Sequence, residues 1–81
     1  MDLSSLSSAK KHVGVKQTIR ALESNSARLV YVAGDADRQL IAEVLALCIV
    51  KDVEIVNVPT RAELGDACGI DVGAAVVALL K

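Results

Sequence analysis

Residues 29–58 read LVYVAGDADRQLIAEVLALCIVKDVEIVNV. Leu29 to Ala33 is a run of β-branched and aromatic residues, the pattern of a strand. Gly34-Asp35-Ala36-Asp37 is a loop, with Asp35 or Asp37 placed as a helix N-cap. Arg38 to Lys51 then predicts a helix of about four turns, apolar around most of its circumference. Glu54 to Val58 is a second strand, closed by Pro59. Strand, helix and strand in that order predict a right-handed crossover joining parallel strands.

The flanks extend the pattern. Val15, Ile19 and Leu22 fall at i, i+4 and i+7, predicting a helix over 15–23 with these three residues facing the core. Ser24-Asn25-Ser26 ends it with turn chemistry. Further upstream, Leu3, Leu6 and Ala9 predict a short helix over 3–11, broken by Val13-Gly14. Downstream, Thr60 caps a helix with Glu63 in the capping-box position; it runs to about Cys68, with Gly69 as C-cap. Ala74 to Leu80 is wholly apolar, so it predicts a strand covered on both faces. The expected order is α-α-β-α-β-α-β. The expected class is α/β, a three-layer α/β/α sandwich around one small mixed sheet.

The 81 residues suffice for a single domain over 1–81, too small for a large enclosed substrate pocket. Hydrophobic residues make up 53% of the chain, which calls for a packed core. Nine Lys and Arg stand against ten Asp and Glu, so nucleic-acid contact must come from a local patch. Tyr31 is the one aromatic, which disfavours single-strand binders that stack bases on aromatic platforms. The longest apolar runs, Val44 to Val50 and Gly73 to Leu80, are far below the roughly 18 residues of a membrane span. Met1-Asp2-Leu3-Ser4-Ser5 lacks the basic and apolar regions of a signal peptide. Cys48 and Cys68 sit among apolar neighbours, as small buried hydrophobes in a reducing cytosol do. With His12 the only histidine, a structural zinc site is discounted. A cytoplasmic protein without cofactor is expected.

No catalytic constellation emerges. There is no glycine-rich phosphate loop, and His12 lies in a basic stretch, Lys10-Lys11-His12, as a surface residue. Asp35 and Asp37 could bind Mg²⁺, but both sit at a helix start, where carboxylates suit the dipole and serve as caps. The chain is therefore read as a non-enzyme.

Two features point to binding. The first is charge. Residues 10–28 hold Lys10, Lys11, Lys16, Arg20 and Arg28, with only Glu23 opposing them. Lys16 and Arg20 share a helix face, with Gln17 beside them. Gly14 precedes this helix, whose free N–H groups would welcome a phosphate. A basic pair with an amide can hold a backbone and read a purine edge, although a solvated basic face is the commoner arrangement. The second feature is Leu64-Gly65-Asp66-Ala67-Cys68-Gly69-Ile70-Asp71-Val72-Gly73-Ala74-Ala75. Gly69 and Gly73 bracket Ile70-Asp71-Val72. These apolar loop residues either fold back onto the core or form a contact surface.

Gly14-Val15-Lys16-Gln17, Val32-Ala33-Gly34-Asp35-Ala36-Asp37 and the stretch from Leu64 to Ala75 resemble the kink-turn-binding ribosomal proteins. These are the L-seven-Ae and L-thirty-e superfamily, and here its small bacterial YbxF-like members. The resemblance covers nearly the whole chain, in order and with compatible spacing. That family has an α/β/α sandwich fold.

The resemblance implies an RNA-binding protein that stabilises kink-turns, RNA bent sharply at a bulge beside tandem sheared G·A pairs. Its implied site is Gly14, Val15, Lys16, Gln17, Arg20, Asp35, Ile70, Asp71, Val72 and Gly73. The helix after Gly14 would enter the widened groove at the G·A pairs. Lys16 and Gln17 would read purine edges, while Lys10, Lys16 and Arg20 would hold phosphates. Ile70, Asp71 and Val72 would cover the bulged nucleotides. The implied partner is structured RNA containing a kink-turn, ribosomal or riboswitch-like, bound by a monomer away from membranes. Asp66 stands where many relatives have Lys, and Gly34 where they often have Lys or Glu. Weaker or more salt-sensitive binding is therefore expected. Some superfamily members lack RNA binding, so a protein–protein adaptor of the same fold is the alternative.

Overall fold

The computed structural model describes residues 10–81. In chain order the elements are β1 (Lys11–Val13), α1 (Val15–Glu23), β2 (Ala27–Ala33), α2 (Arg38–Lys51), β3 (Glu54–Val58), α3 (Arg61–Ala67) and β4 (Val76–Leu80). The four strands form one mixed sheet in the order β1-β4-β2-β3. β2 and β3 are parallel, as a crossover through α2 requires, whereas β4 runs antiparallel to both β1 and β2. α1 and α2 pack together on one face, and α3 packs against β2, β3 and β4 on the other. The expected three-layer sandwich is the fold found.

Covering both faces buries almost all of β2 and the centre of β4. In β2 only Arg28 is exposed, and Val76, Val77 and Ala78 are fully enclosed. Burying an aliphatic side chain of this size contributes about 1.5–3 kcal/mol, so these two central strands carry much of the stability.

The first element differs from expectation. Residues 3–9 of the expected N-terminal helix lie outside the described residues. Lys11 lies in strand β1, which pairs Lys11–Val13 with Val77–Leu79. Three residues are too few to show an alternating pattern, and the strand exists because β4 offers a free edge. Gly14 ends it at φ 109°, in the region that favours glycine, and donates its N–H to the Val76 carbonyl at 3.0 Å.

Other boundaries shift for similar reasons. β2 begins at Ala27, two residues before the apolar run, because Ala27 pairs with Leu80. β4 begins at Val76, after Ala74 has turned away to α3 and Ala75 has kept one bond to β2. Ala74 donates to the Arg61 carbonyl, and Ala75 accepts from the Ala33 N–H. α3 ends at Ala67 with Cys68 as its cap residue, and Gly69 follows at φ 77°. The N–H groups of Gly69 and Ile70 return to the Asp66 and Gly65 carbonyls, the paired bonds of a Schellman motif.

The buried row of α1 is Thr18, Ala21 and Leu22, with Val15 and Ile19 half-buried at its flank. This rotates the inner face away from the expected Val15-Ile19-Leu22 line. Thr18 Oγ1 is buried without a partner, the one such side-chain atom among the described residues. Thr18→Val should therefore stabilise the fold by about 1 kcal/mol, because it removes an unsatisfied hydroxyl at nearly constant shape. Urea unfolding measures this, and a loss of stability would mean that the hydroxyl is satisfied.

Candidate functional site

Three helices begin at one edge of the sheet, where the parallel strands β2 and β3 end. Four tethers gather this edge. Gly14 bonds Val76, Ala33 bonds Ala75, Gly34 donates to the Val58 carbonyl at 2.7 Å, and Arg61 bonds Asp35. Open α/β sheets characteristically bind ligands outside the carboxyl ends of their strands.

The three helix starts differ. Asp37 Oδ1 accepts from the Gln39 N–H at 2.9 Å and caps α2. Thr60 Oγ1 accepts from the Glu63 N–H at 3.1 Å and caps α3. α1 has no side-chain cap and no acidic residue in its first turn. Its open end keeps the dipole and the unpaired N–H groups available for an anion. A Cβ built on Gly14 would meet nothing within 4 Å, so the space beside this residue is open.

Lys16, Gln17 and Arg20 are exposed; Lys16 and Arg20 lie opposite the buried Thr18-Ala21-Leu22 row, with Gln17 beside them. No side-chain bond ties them among the described residues, so all three can reach a ligand. Val15 is half-buried against the core and would meet a ligand through its backbone. Lys10 lies apart from the edge, about four residues or 13 Å down β1 from Gly14. Its carbonyl accepts from the Leu80 N–H. Lys11 is half-buried, whereas Lys10 and His12 are exposed. The Lys10 side chain thus lies free at the surface and does not join the edge itself.

The loop after α3 splits its apolar pair. Ile70 is half-buried against the core, whereas Val72 is 69% exposed. Both arrangements left open by the sequence therefore occur, one per residue. Asp71, Val72 and Gly73 are exposed, and with Ile70 they wall a groove whose other side is Ala62, Glu63 and Asp66. Asp66 thus shares the groove with the loop.

Of the two acids expected as candidates to cap α2, Asp37 takes the role and Asp35 does not. Asp35 Oδ1 instead accepts from the Arg61 N–H at 2.7 Å, and it lies 3.5 Å from Arg61 Nε. Arg61 escaped the sequence reading because its partner lies 26 positions away. Among the described residues, no group of three or more His, Cys, Asp or Glu could hold a metal ion. Cys48 and Cys68 are free and buried, and burial pushes both thiols up, so they stay protonated at neutral pH.

A model of the ribosomal protein L7Ae/L30e/S12e/Gadd45 family matches residues 3–81. The chain belongs to that family. Among its relatives, RNA-binding protein BH0128 of Halalkalibacterium halodurans is 46% identical over 69 residues, covering 85% of this chain and 84% of its own length. RNA-binding protein YbxF of Geobacillus stearothermophilus is 45% identical over 76 residues, covering 94% of this chain and 93% of its own. The fold also matches solved structures. The Giardia lamblia 15.5kD RNA binding protein superposes with a TM-score of 0.85 at 28% identity, over 98% of this chain and 65% of that one. A Bacillus halodurans protein of unknown function superposes with a TM-score of 0.88 at 24% identity, over 98% of this chain and 83% of that one. No helix among the described residues is long and apolar enough to cross a membrane.

Proposed function

We propose that this protein binds RNA and stabilises kink-turns. The observation that carries the reading is the start of α1. An uncapped helix end, opened by Gly14, presents Lys16, Gln17 and Arg20 on one face, at the edge that also bears the 70–73 loop. The α1 end would hold a phosphate on its N–H groups. Gln17 and Lys16 would read purine edges of the sheared G·A pairs, and Arg20 and Lys10 would hold the backbone. Ile70, Asp71, Val72 and Gly73 would cover the bulged nucleotides, with Val72 as the exposed apolar contact. The protein would act as a cytoplasmic monomer on structured RNA. By binding only the kinked form, it would draw the RNA from open to kinked. The relatives named as RNA-binding proteins support this reading.

A gel shift tests it. The protein should retard a kink-turn duplex at concentrations that leave a duplex with replaced G·A pairs free. Failure to bind either would favour the adaptor. That alternative draws on the apolar residues Ile49 and Val50, 78% and 75% exposed on α2.

Two further results are expected. If Lys10, Lys16 and Arg20 each neutralise a phosphate, log K should fall against log salt with a slope of roughly −2 to −3. A slope near zero, measured by filter binding over a salt series, would mean that these cations face only solvent. Asp66→Lys should tighten binding by about 1 kcal/mol at low salt, since it exchanges repulsion for attraction beside a phosphate. An unchanged affinity would place the Asp66 groove away from the RNA.

A further inference from the structure

Asp35 and Arg61 meet across 26 positions of sequence. α2 does not need this contact, since Asp37 caps it. In α3, Thr60 takes the Glu63 N–H, and the Arg61 N–H goes to Asp35 at 2.7 Å. The guanidinium stands beside the same carboxylate oxygen, with Nε at 3.5 Å. A backbone N–H and a cation thus converge on one acceptor, the stronger class of hydrogen bond.

The other side of Arg61 holds the loop. Its carbonyl accepts from the Ala74 N–H at 3.0 Å, immediately after the loop ends. A Cβ built on Gly73 would stand 3.1 Å from Arg61 Cβ, so the loop backbone lies flat on this residue. Asp35, Arg61, Gly73 and Ala74 form one continuous chain of contacts, from the end of β2 to the 70–73 loop. We infer that Asp35 is a positioning residue: it holds the first turn of α3 through Arg61, and so fixes Asp71 and Val72 where RNA meets the loop, without touching RNA itself. This inference rests on the RNA reading above. It differs from the site that the resemblance implies, which included Asp35, in giving Asp35 no contact with the ligand.

The test uses the full chain with Asp35→Ala and Asp35→Asn. In the free protein, amide exchange at Ala74, whose N–H bonds the Arg61 carbonyl, should rise about tenfold in Asp35→Ala, while exchange at Val30 and Val77 stays unchanged. Affinity for a kink-turn duplex should fall about tenfold, the scale of one charge-assisted bond. Asp35→Asn keeps the oxygen acceptor and should stay within about threefold of the parent. The loss in Asp35→Ala should be less than additive with Val72→Ala and additive with Gln17→Ala, because only Val72 depends on the loop. Weaker binding with unchanged loop exchange would show a direct contact and overturn the inference. So would faster exchange with unchanged affinity, or full additivity with Val72→Ala. Should the parent protein ignore kink-turn RNA, the RNA reading falls separately. Unchanged exchange in Asp35→Ala would then still overturn the tie to the loop.

Discussion

Gly65→Ala should lower the unfolding free energy by about 2–3 kcal/mol, near the upper end for forced overpacking. In a domain of this size that is a drop of roughly 10–20 °C in melting temperature. Gly65 is buried within α3, and a Cβ there would overlap the Val72 carbonyl oxygen. That oxygen belongs to backbone, which cannot swing aside as a side chain can. Either α3 lifts from the loop or the loop leaves its place, so RNA affinity should fall with stability. Gly14 makes the useful contrast. A Cβ there meets open space, and only the backbone angle of 109° resists a side chain. Gly14→Ala should cost about 1–3 kcal/mol through backbone strain alone, because φ 109° with ψ 161° is a region essentially reserved for glycine. Thermal unfolding of both variants checks this, and an unperturbed Gly65→Ala would show that the loop is not seated on α3.

Gln17→Ala and Arg20→Ala should separate reading from holding. Gln17 can donate and accept at a purine edge, so its loss leaves base groups unsatisfied. That should cost about 1–3 kcal/mol on an intact kink-turn. The same variant should cost little on RNA without sheared G·A pairs, which presents no such edge. Arg20→Ala should weaken both RNAs by similar factors, because phosphates are common to both. Neither variant should unfold the protein, since both side chains are exposed. Equal losses on both RNAs for Gln17→Ala would show that it only holds the backbone.

The sequence carried the large elements clearly, because they speak in local periods. α1, α2 and β3 begin and end where their patterns do, and Pro59 and Thr60 mark the turn into α3. What it hid was non-local. β1 is three residues long, and only the free edge of β4 makes it a strand. The inner face of α1 rotated toward Thr18 because packing on α2 and the sheet, not hydrophobicity alone, chose it. Asp35 and Asp37 looked alike as caps, yet one serves α2 and the other reaches to Arg61. Ile70 and Val72 looked alike as loop hydrophobes, yet the Schellman turn at Gly69 anchors Ile70 and leaves Val72 outside. The open start of α1 was legible, since Gly14 offers no capping side chain and no acid follows in the first turn.

Energy transfer between dyes on the two arms of an RNA duplex tests kink-turn recognition most directly. Without protein and at low divalent salt, a kink-turn duplex should be largely extended, with low transfer. Titration with the protein should bring the arms together, with a midpoint equal to that of binding, because the protein selects the kinked state. A duplex with its sheared G·A pairs replaced should stay extended over the same range. Equal binding to both duplexes, with no closing of the arms in either, would contradict the account.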